Sequence, residues 1–564
     1  MKPNRNYFPD TREYKSIVHM ILARSEVHDI GVTFTDIKGA DYIFSWGSLV
    51  HQARRCASWL EQECALPQHA RVGIALPNTP AFIVHIFACW MIRCIPVTLS
   101  PPGIFSARSL KRVEYICQDT QLSALLCTEQ DYEYFRALPE TTKVFVTTDT
   151  TSFPPKEVDI QNIPISPNDI GFIQYTSGST ANPKGATLSH HNLNQNCHLL
   201  TAQYPFLENE SFVSWLPFYH DMGLFAQLLT AAYRCLPFYL TETSTFLLNP
   251  MVWLNQISKH RCTVTEIPNF ALAYCVKRIT KKQVLQLDLS CLRGIFLGSE
   301  PVDFHNTESF LHHFSESKVK REALAGAYGM SEVTVGLART DPMEGIYFDC
   351  IRRDLLFEGI AEPCPKESPQ ATYISCVGRP IPKHHVSIRS EQGVELPHGS
   401  VGEIWLRGPS LMNGYWNQEE KNKTLFRYID GHRWFQSGDL GYLRNNLIFV
   451  CGRIKELIII RGKNYHPEEI ERVAEKCTDL RPGQSIAFGI SGGDTEHIVL
   501  MAETTALESE HANIQWKVKN LISQHLGLKV RHIILRAPKS TPKTTSGKRQ
   551  RNLAKNLFLK ERER

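Results

Sequence analysis

The stretch YTSGSTANPKGATLSH, residues 175–190, gathers hydroxyls, glycines and one lysine into a short segment. It is not a G-x-x-x-x-G-K-[ST] loop, because that spacing cannot be read from it. Its parts still suit a phosphate cradle. Gly178 and Gly185 let a backbone come close, Thr176, Ser177, Ser179 and Thr180 offer hydroxyls, and Lys184 offers a mobile cation.

Three other patterns carry less. GISGG (489–493) matches the G-x-S-x-G nucleophile elbow, yet the segment after it reads as a strand where an elbow needs a helix. A turn is expected there. The paired histidines of SHHN and KHH lack a third ligand at metal spacing and are expected in loops or at the surface. His220, in FYHDMG, precedes a helical pattern. It either faces a reacting group or orients its own loop.

The elements that position these residues alternate regularly. RVGIALPN (72–79) and IPVTLSP (95–101) read as strands, and DIGFIQYTSGST (169–180) as a strand running into the glycine-rich loop, with 188–205 helical after it. SFVSWLP (211–217) leads into a helix from Asp221, and CTVTEIPN (262–269) and LRGIFLGSE (292–300) repeat the strand-then-polar-loop pattern. Such alternation predicts an α/β fold with doubly wound, mostly parallel sheets, whose ligands sit beyond the carboxyl ends of the strands. From Val386 the texture becomes strands and turns, a β-rich subdomain over about 380–450. The last hundred or so residues read as a compact α+β unit: helices near 467–477 and 514–525, strands at 485–490, 497–503 and 530–535. The division expected is a large domain over 1–453 and a small mobile C-terminal lid over 454–564.

Composition narrows the class. At 564 residues, 42% hydrophobic and 21% charged, the chain is an ordinary globular protein of more than one domain. A net charge of +5 is too mild to indicate nucleic acid or a membrane surface. The sixteen cysteines form no C-x-x-C pair, which favours free thiols in a reducing compartment and a cytoplasmic location. MKPNRNYFPD lacks the apolar core of a signal peptide. In the apolar run 81–100, His85, Arg93 and Pro96 argue for a buried helix and strand over a membrane span. From Lys539 onward nine Lys/Arg stand against two Glu, which reads as a solvated terminus apart from Lys548.

Five stretches together carry a resemblance. YTSGSTANPKG, GSEP (298–301), AYGMSE (327–332), SGDLGYL (437–443) with GRIKELIIIRG (452–462), and PKTTSGKRQR (542–551) occur in the order found in the adenylate-forming superfamily. VSWLPFYHDMGL (213–224), IIIRGKNYHPEEIE (458–471) and the stretch 348–380 look like its fatty acyl-AMP ligases. The resemblance implies a reaction of a fatty acid with ATP and Mg²⁺, giving acyl-adenylate and pyrophosphate. It implies that residues 176–185 cradle the phosphates, although Ala181 stands where the family usually has glycine, and that Glu332 holds Mg²⁺. Tyr328 would stack on adenine, with Gly298, Ser299 and Glu300 lining the slot and Ala327, Gly329, Met330 and Ser331 completing the loop. Asp439 would bind ribose, Arg453 would lie near the ribose and phosphates, and Lys455 would sit at the hinge. Lys548, on a loop kept mobile by Ser546 and Gly547, would be the catalytic lysine, with Lys184 and His220 beside the reacting groups. Phe218, Phe225, Pro268, Phe270 and Ala271 are candidates for the acyl pocket.

An insertion between Glu332 and Val377 resembles one that, in fatty acyl-AMP ligases, anchors the C-terminal domain. It implies transfer to the phosphopantetheine thiol of an acyl carrier protein or of a polyketide or peptide synthase carrier domain, supplied as a separate chain. Long-chain acyl-CoA synthetase is the alternative, and an inactive acyl-adenylate or lipid sensor is a third reading. No nucleic-acid partner and no stable membrane insertion are expected.

Overall fold

Apolar strands ending in polar loops assemble here into one parallel and one mainly parallel sheet. The computed structural model describes residues 10, 12–102, 107–136, 138, 142–147, 153–158, 165–176, 183–203, 209–460, 463–492, 495–544 and 547–562. One sheet is wholly parallel, in the order Ile95–Thr98, Arg71–Ala75, Ala124–Cys127, Lys143–Val146. The other has nine strands: Arg379–Pro380, Gly336–Arg339, Leu324–Gly329, Gly294–Gly298, Val264–Pro268, Phe212–Ser214, Phe238–Thr241, Gly31–Thr35 and Asp41–Ser45. Its strands from Leu324–Gly329 to Gly31–Thr35 run parallel, and both edges close antiparallel.

The apolar run 81–100 divides as expected. Helix Pro80–Met91 is buried on nearly every side and leads into strand Ile95–Thr98. His85 is a satisfied core residue: its ring nitrogens lie 2.6 Å from the Ala81 carbonyl and 2.6 Å from the Thr147 hydroxyl. Burial pushes its pKa down to about 4. Among the described residues no helix is long and apolar enough to cross a membrane.

One boundary differs from expectation. Residues 188–189 end strand Gly185–Ser189, which pairs antiparallel with Ile170–Tyr175; the helix starts one residue later, as His190–Gln203. The Ser189 N–H donates to Asn192 Oδ1 at 2.9 Å, a local bond that opens the helix and stops the strand. The strand can lie there because Gly185 has no side chain: a Cβ would stand 2.7 Å from Ile173 Cγ2.

The β-rich region forms a sheet of His385–Arg389, Gly402–Arg407, His432–Arg444 and Phe426–Ile429, with Leu447–Arg453 paired to His432–Arg444. The smaller C-terminal domain carries Ser485–Ser491, Glu496–Glu503 and Val530–Arg536 under helices Pro467–Ala474 and His511–Leu526. Its two apolar cores draw only on residues from Ile458 to Phe558.

The basic tail is not the solvated arm its charge suggests. Helix Arg551–Arg562 buries Ala554 and Phe558 on the face of the C-terminal sheet, with Phe558 6.0 Å from Phe488. Arg551 is itself buried. Its guanidinium contacts Glu456 and reaches Glu468 and Glu471 at 2.9 Å. Three carboxylates in a dry site hold a cation that the sequence pattern assigns to solvent.

The insertion is an antiparallel hairpin of Phe348–Arg352 and Ala371–Ser375. It grips the C-terminal domain at several points. The Thr372 hydroxyl donates to Glu469 at 2.7 Å, Arg472 donates to that hydroxyl at 3.0 Å, and Arg353 reaches the His525 carbonyl at 3.1 Å. Lys463 pairs with Glu358 at 2.9 Å, and the rings of Phe357 and Tyr465 lie 4.6 Å apart.

Candidate active site

The site forms where the carboxyl ends of the central strands meet the β-rich sheet. Tyr328 closes strand Leu324–Gly329, and its hydroxyl donates to Asp439 Oδ2 at 2.7 Å. Asp439 sits opposite Arg453 in the register of His432–Arg444 with Leu447–Arg453, and Arg453 Nε lies 2.9 Å from Asp439 Oδ1. Asp439 holds the Arg453 guanidinium above its ordinary range, against the pull of burial. Burial, with Asp439 adding to it, raises the Tyr328 phenol well above 10. The phenol therefore stays protonated and acts as a donor.

Glycine is required next to Tyr328. A Cβ on Gly329 would stand 1.6 Å from the Val335 carbonyl, so no other residue lets this strand cross so near the loop that follows. Ser299 adopts φ +67°, a left-handed conformation unusual for serine, and its hydroxyl faces Met222 Sδ at 3.6 Å. Glu300 accepts from the Phe270 N–H at 2.7 Å, which fixes the loop after strand Val264–Pro268. Gly298 faces the Ala327 carbonyl, 3.2 Å from where a Cβ would be.

A second set surrounds Asp221. This residue opens the π-helical segment Met222–Leu229, and its carboxylate accepts from the Met222 N–H at 2.8 Å and the Ser331 hydroxyl at 2.6 Å. Wide helical turns of this kind recur at functional sites. His220 Nδ1 lies 2.9 Å from Asp221 Oδ1. Burial would push the Asp221 carboxyl up, but His220, Lys548 and the Ser331 hydroxyl outweigh it and hold the pKa at about 2.

Lys548 arrives on a turn of the C-terminal domain. Gly547 takes φ +84°, the Lys548 N–H donates to Thr544 Oγ1 at 3.0 Å, and the turn lies against Phe270. Burial lowers the Lys548 pKa, while Asp221, Glu300 and Asp439 oppose that shift and Arg453 adds to it. The lysine thus faces carboxylates from three separated parts of the large domain.

The third set is Glu332, Lys184 and Tyr415. Ser331 and Glu332 lie on the 3-10 turn Ser331–Val333 after Met330. Glu332 Oε1 accepts from the Tyr415 hydroxyl at 2.5 Å, and Lys184 Nζ stands 5.3 Å from the Tyr415 ring centre. The Lys184 carbonyl accepts from the Thr176 N–H at 2.9 Å, closing the mouth of the glycine-rich loop, and Arg112 donates to the Thr176 carbonyl at 3.0 Å. Ser177, Gly178, Ser179, Thr180, Ala181 and Ser546 lie outside the described residues.

A family model described as AMP-binding enzyme matches residues 26–416. The chain belongs to that family. This AMP-binding enzyme is 29% identical to the medium-chain-fatty-acid–[acyl-carrier-protein] ligase JamA of Moorena producens over 97% of this chain and 95% of that one. It is 30% identical to the long-chain-fatty-acid–AMP ligase FadD26 of Mycobacterium marinum, covering 85% and 86%. A solved structure from a study of fatty acyl-adenylate ligases of E. coli and L. pneumophila superposes with a TM-score of 0.91 at 28% identity, covering 98% and 99%.

Within this AMP-binding enzyme the fold gathers Tyr328, Asp439, Arg453, Glu300, Ser331, His220 and Lys548 around one space, and brings Lys184 to Glu332 through Tyr415. Arg453 joins the sets, since both Asp439 and Glu332 act on its charge. Of the acyl-pocket candidates, Phe218 packs 5.1 Å from Phe82 and Phe225 packs 5.0 Å from Phe172, in the same apolar core as Ala271. Phe270 stays at the site, beside the Lys548 turn.

The structure adds Asp221, Tyr415 and Arg112 to the site. Asp221 was signalled by its place beside His220, whereas Arg112 lies on an amphipathic helix with nothing to mark it. Among the described residues no cluster of three or more His, Cys, Asp or Glu could hold a metal. Glu332, a lone carboxylate beside a lysine, fits a hard cation that arrives already coordinated by phosphate oxygens and water.

Proposed function

We propose that this protein is a fatty acyl-AMP ligase. It couples a medium- or long-chain fatty acid to the α-phosphate of ATP, releases pyrophosphate, and passes the acyl group to the phosphopantetheine thiol of a carrier protein. The observation that carries this reading is Lys548, set by the C-terminal domain opposite Asp221, Glu300 and Asp439. Joining a carboxylate to a phosphate brings two anions together, and a desolvated ammonium lowers that cost most where charge builds up.

The residues then divide the work. Asp439 and Arg453 bind the ribose, and Tyr328, already fixed by its bond to Asp439, offers its ring to the base. Lys184, with the hydroxyls of 176–180, binds the phosphates. Glu332 would hold Mg²⁺, which when bound neutralises phosphate charge and orients the leaving group. Asp221 positions His220 and Ser331, and keeps an anionic partner near Lys548. We place the domain boundary at 453–454, with Lys455 as the hinge.

The insertion supports carrier transfer over transfer to CoA. Its contacts through Thr372, Arg353, Glu358 and Phe357 oppose the rotation of the C-terminal domain that thioester formation on the same enzyme requires. Product mass spectrometry across a panel of fatty acids, with and without CoA and carrier protein, tests the proposal. Acyl-adenylate and acyl-carrier products are expected; abundant acyl-CoA would replace this reading with an acyl-CoA synthetase. Absence of fatty-acid-dependent ATP–pyrophosphate exchange would replace it with a binding protein.

A further inference from the structure

Lys421 lies on the short helix Glu419–Leu425, outside every stretch that the sequence singles out for chemistry. Two latches fix it. The Asn422 side chain accepts from the Tyr415 N–H and donates to the Tyr415 carbonyl, both at 2.8 Å. Tyr415 in turn pairs opposite Ala186, and the Trp416 N–H donates to the Gly185 carbonyl at 2.7 Å. The strand pair that carries Lys184 therefore also carries the root of Lys421, although more than two hundred residues separate them.

The result is an unusual concentration of positive charge. Lys421 Nζ stands 5.1 Å from the Tyr415 ring centre, and Lys184 Nζ stands 5.3 Å from the same ring. The two ammonium groups are near enough to repel each other, and Lys455 adds a third positive charge. Among the described residues no carboxylate lies within ion-pair distance of Lys184 or Lys421; Glu332 acts on Lys421 from further away and is hydrogen-bonded to Tyr415. Burial, with Lys184 next, lowers Lys421 to about 8. Cations held together beside one aromatic ring, without an ion-paired carboxylate, form a receptor for an anion of high charge.

We propose that Lys421 is a polyphosphate ligand: together with Lys184 it binds the β- and γ-phosphate oxygens of the nucleotide and the pyrophosphate that leaves. The inference rests on the ligase reading and adds a residue to its phosphate site.

The test is equilibrium binding to the full-length protein, with pyrophosphate, ATP and AMP as probes, each with and without Mg²⁺. Loss of one charge-assisted contact predicts that Lys421→Ala weakens pyrophosphate and ATP by roughly ten- to a hundredfold. AMP, which lacks the outer phosphates, is expected to bind unchanged, and Lys421→Arg to restore most of the loss. In exchange assays the KM for pyrophosphate rises in step while the KM for fatty acid stays fixed. Unchanged pyrophosphate affinity in Lys421→Ala overturns the proposal, and so does an equal loss for AMP, which marks a merely structural role. Selective loss of pyrophosphate binding in a protein without fatty-acid-dependent exchange supports Lys421 as a ligand and overturns the ligase reading alone.

Discussion

The Thr372 hydroxyl donates to Glu469 Oε1 at 2.7 Å, across 97 residues of chain. Glu469 is buried, and it also contacts Arg472 and lies 3.4 Å from Arg353. One carboxylate thus ties the inserted hairpin to the first long helix of the C-terminal domain. On the proposed reading, Thr372→Val combined with Arg353→Ala removes two of these ties, each worth about 1 kcal/mol or more. Acyl-CoA formation is expected to rise severalfold above background while acyl-adenylate formation stays near its original rate. Thioester yield with CoA checks this; no gain in acyl-CoA would mean that the hairpin does not set the acceptor.

Lys548→Ala is expected to lower acyl-adenylate formation by roughly a hundredfold or more, the scale for removing a preorganised charge from a reacting centre. ATP affinity should change little, because Asp439, Arg453 and Lys184 remain. Single-turnover adenylation alongside nucleotide binding separates the two effects. A near-normal adenylation rate would remove Lys548 from the mechanism.

Glu266 lies buried on strand Val264–Pro268, and burial pushes its carboxyl from an ordinary 4.5 up to about 7, with Asp221 adding to the shift and Arg339 opposing it. A carboxyl whose folded pKa is raised favours the folded state most below pH 4.5, and that contribution is lost as pH rises through about 7. Its span is on the order of 3 kcal/mol at 1.36 kcal/mol per unit. Glu266→Gln should erase this dependence, so that the variant gains on the parent between pH 5 and pH 8. Denaturant titrations at both pH values measure it; parallel pH profiles would contradict the assignment.

Phe558→Ala is expected to destabilise the C-terminal domain by about 3 kcal/mol, the usual cost of emptying a buried aromatic site. Phe558 is 5% exposed and packs on the sheet beside Phe488. If the tail were only a solvated arm, the thermal midpoint would not move.

Much of this arrangement is legible from the chain because strands followed by polar loops state both the fold and the place of the chemistry. Tyr328 lies at the end of such a strand, Asp439 within a strand of the β-rich sheet and Lys548 on a turn, and the structure gathers them. What escapes reading depends on partners far away in sequence. Arg551 looks solvated until Glu456, Glu468 and Glu471 surround it. Lys421 gains its meaning only from a strand pairing that no local pattern announces.

The helix that holds Glu469 also holds Glu471, which binds Arg551, three residues beyond Lys548. Grip on the hairpin and aim of the lysine are therefore properties of a single lever. On the proposed reading, a looser fit at the hairpin shortens the time the lever stays down and exposes the mixed anhydride to water sooner. On the proposed reading, the choice of acyl recipient is set in the buried seam between hairpin and helix, where Thr372 meets Glu469, and leaves the nucleotide-binding groups untouched.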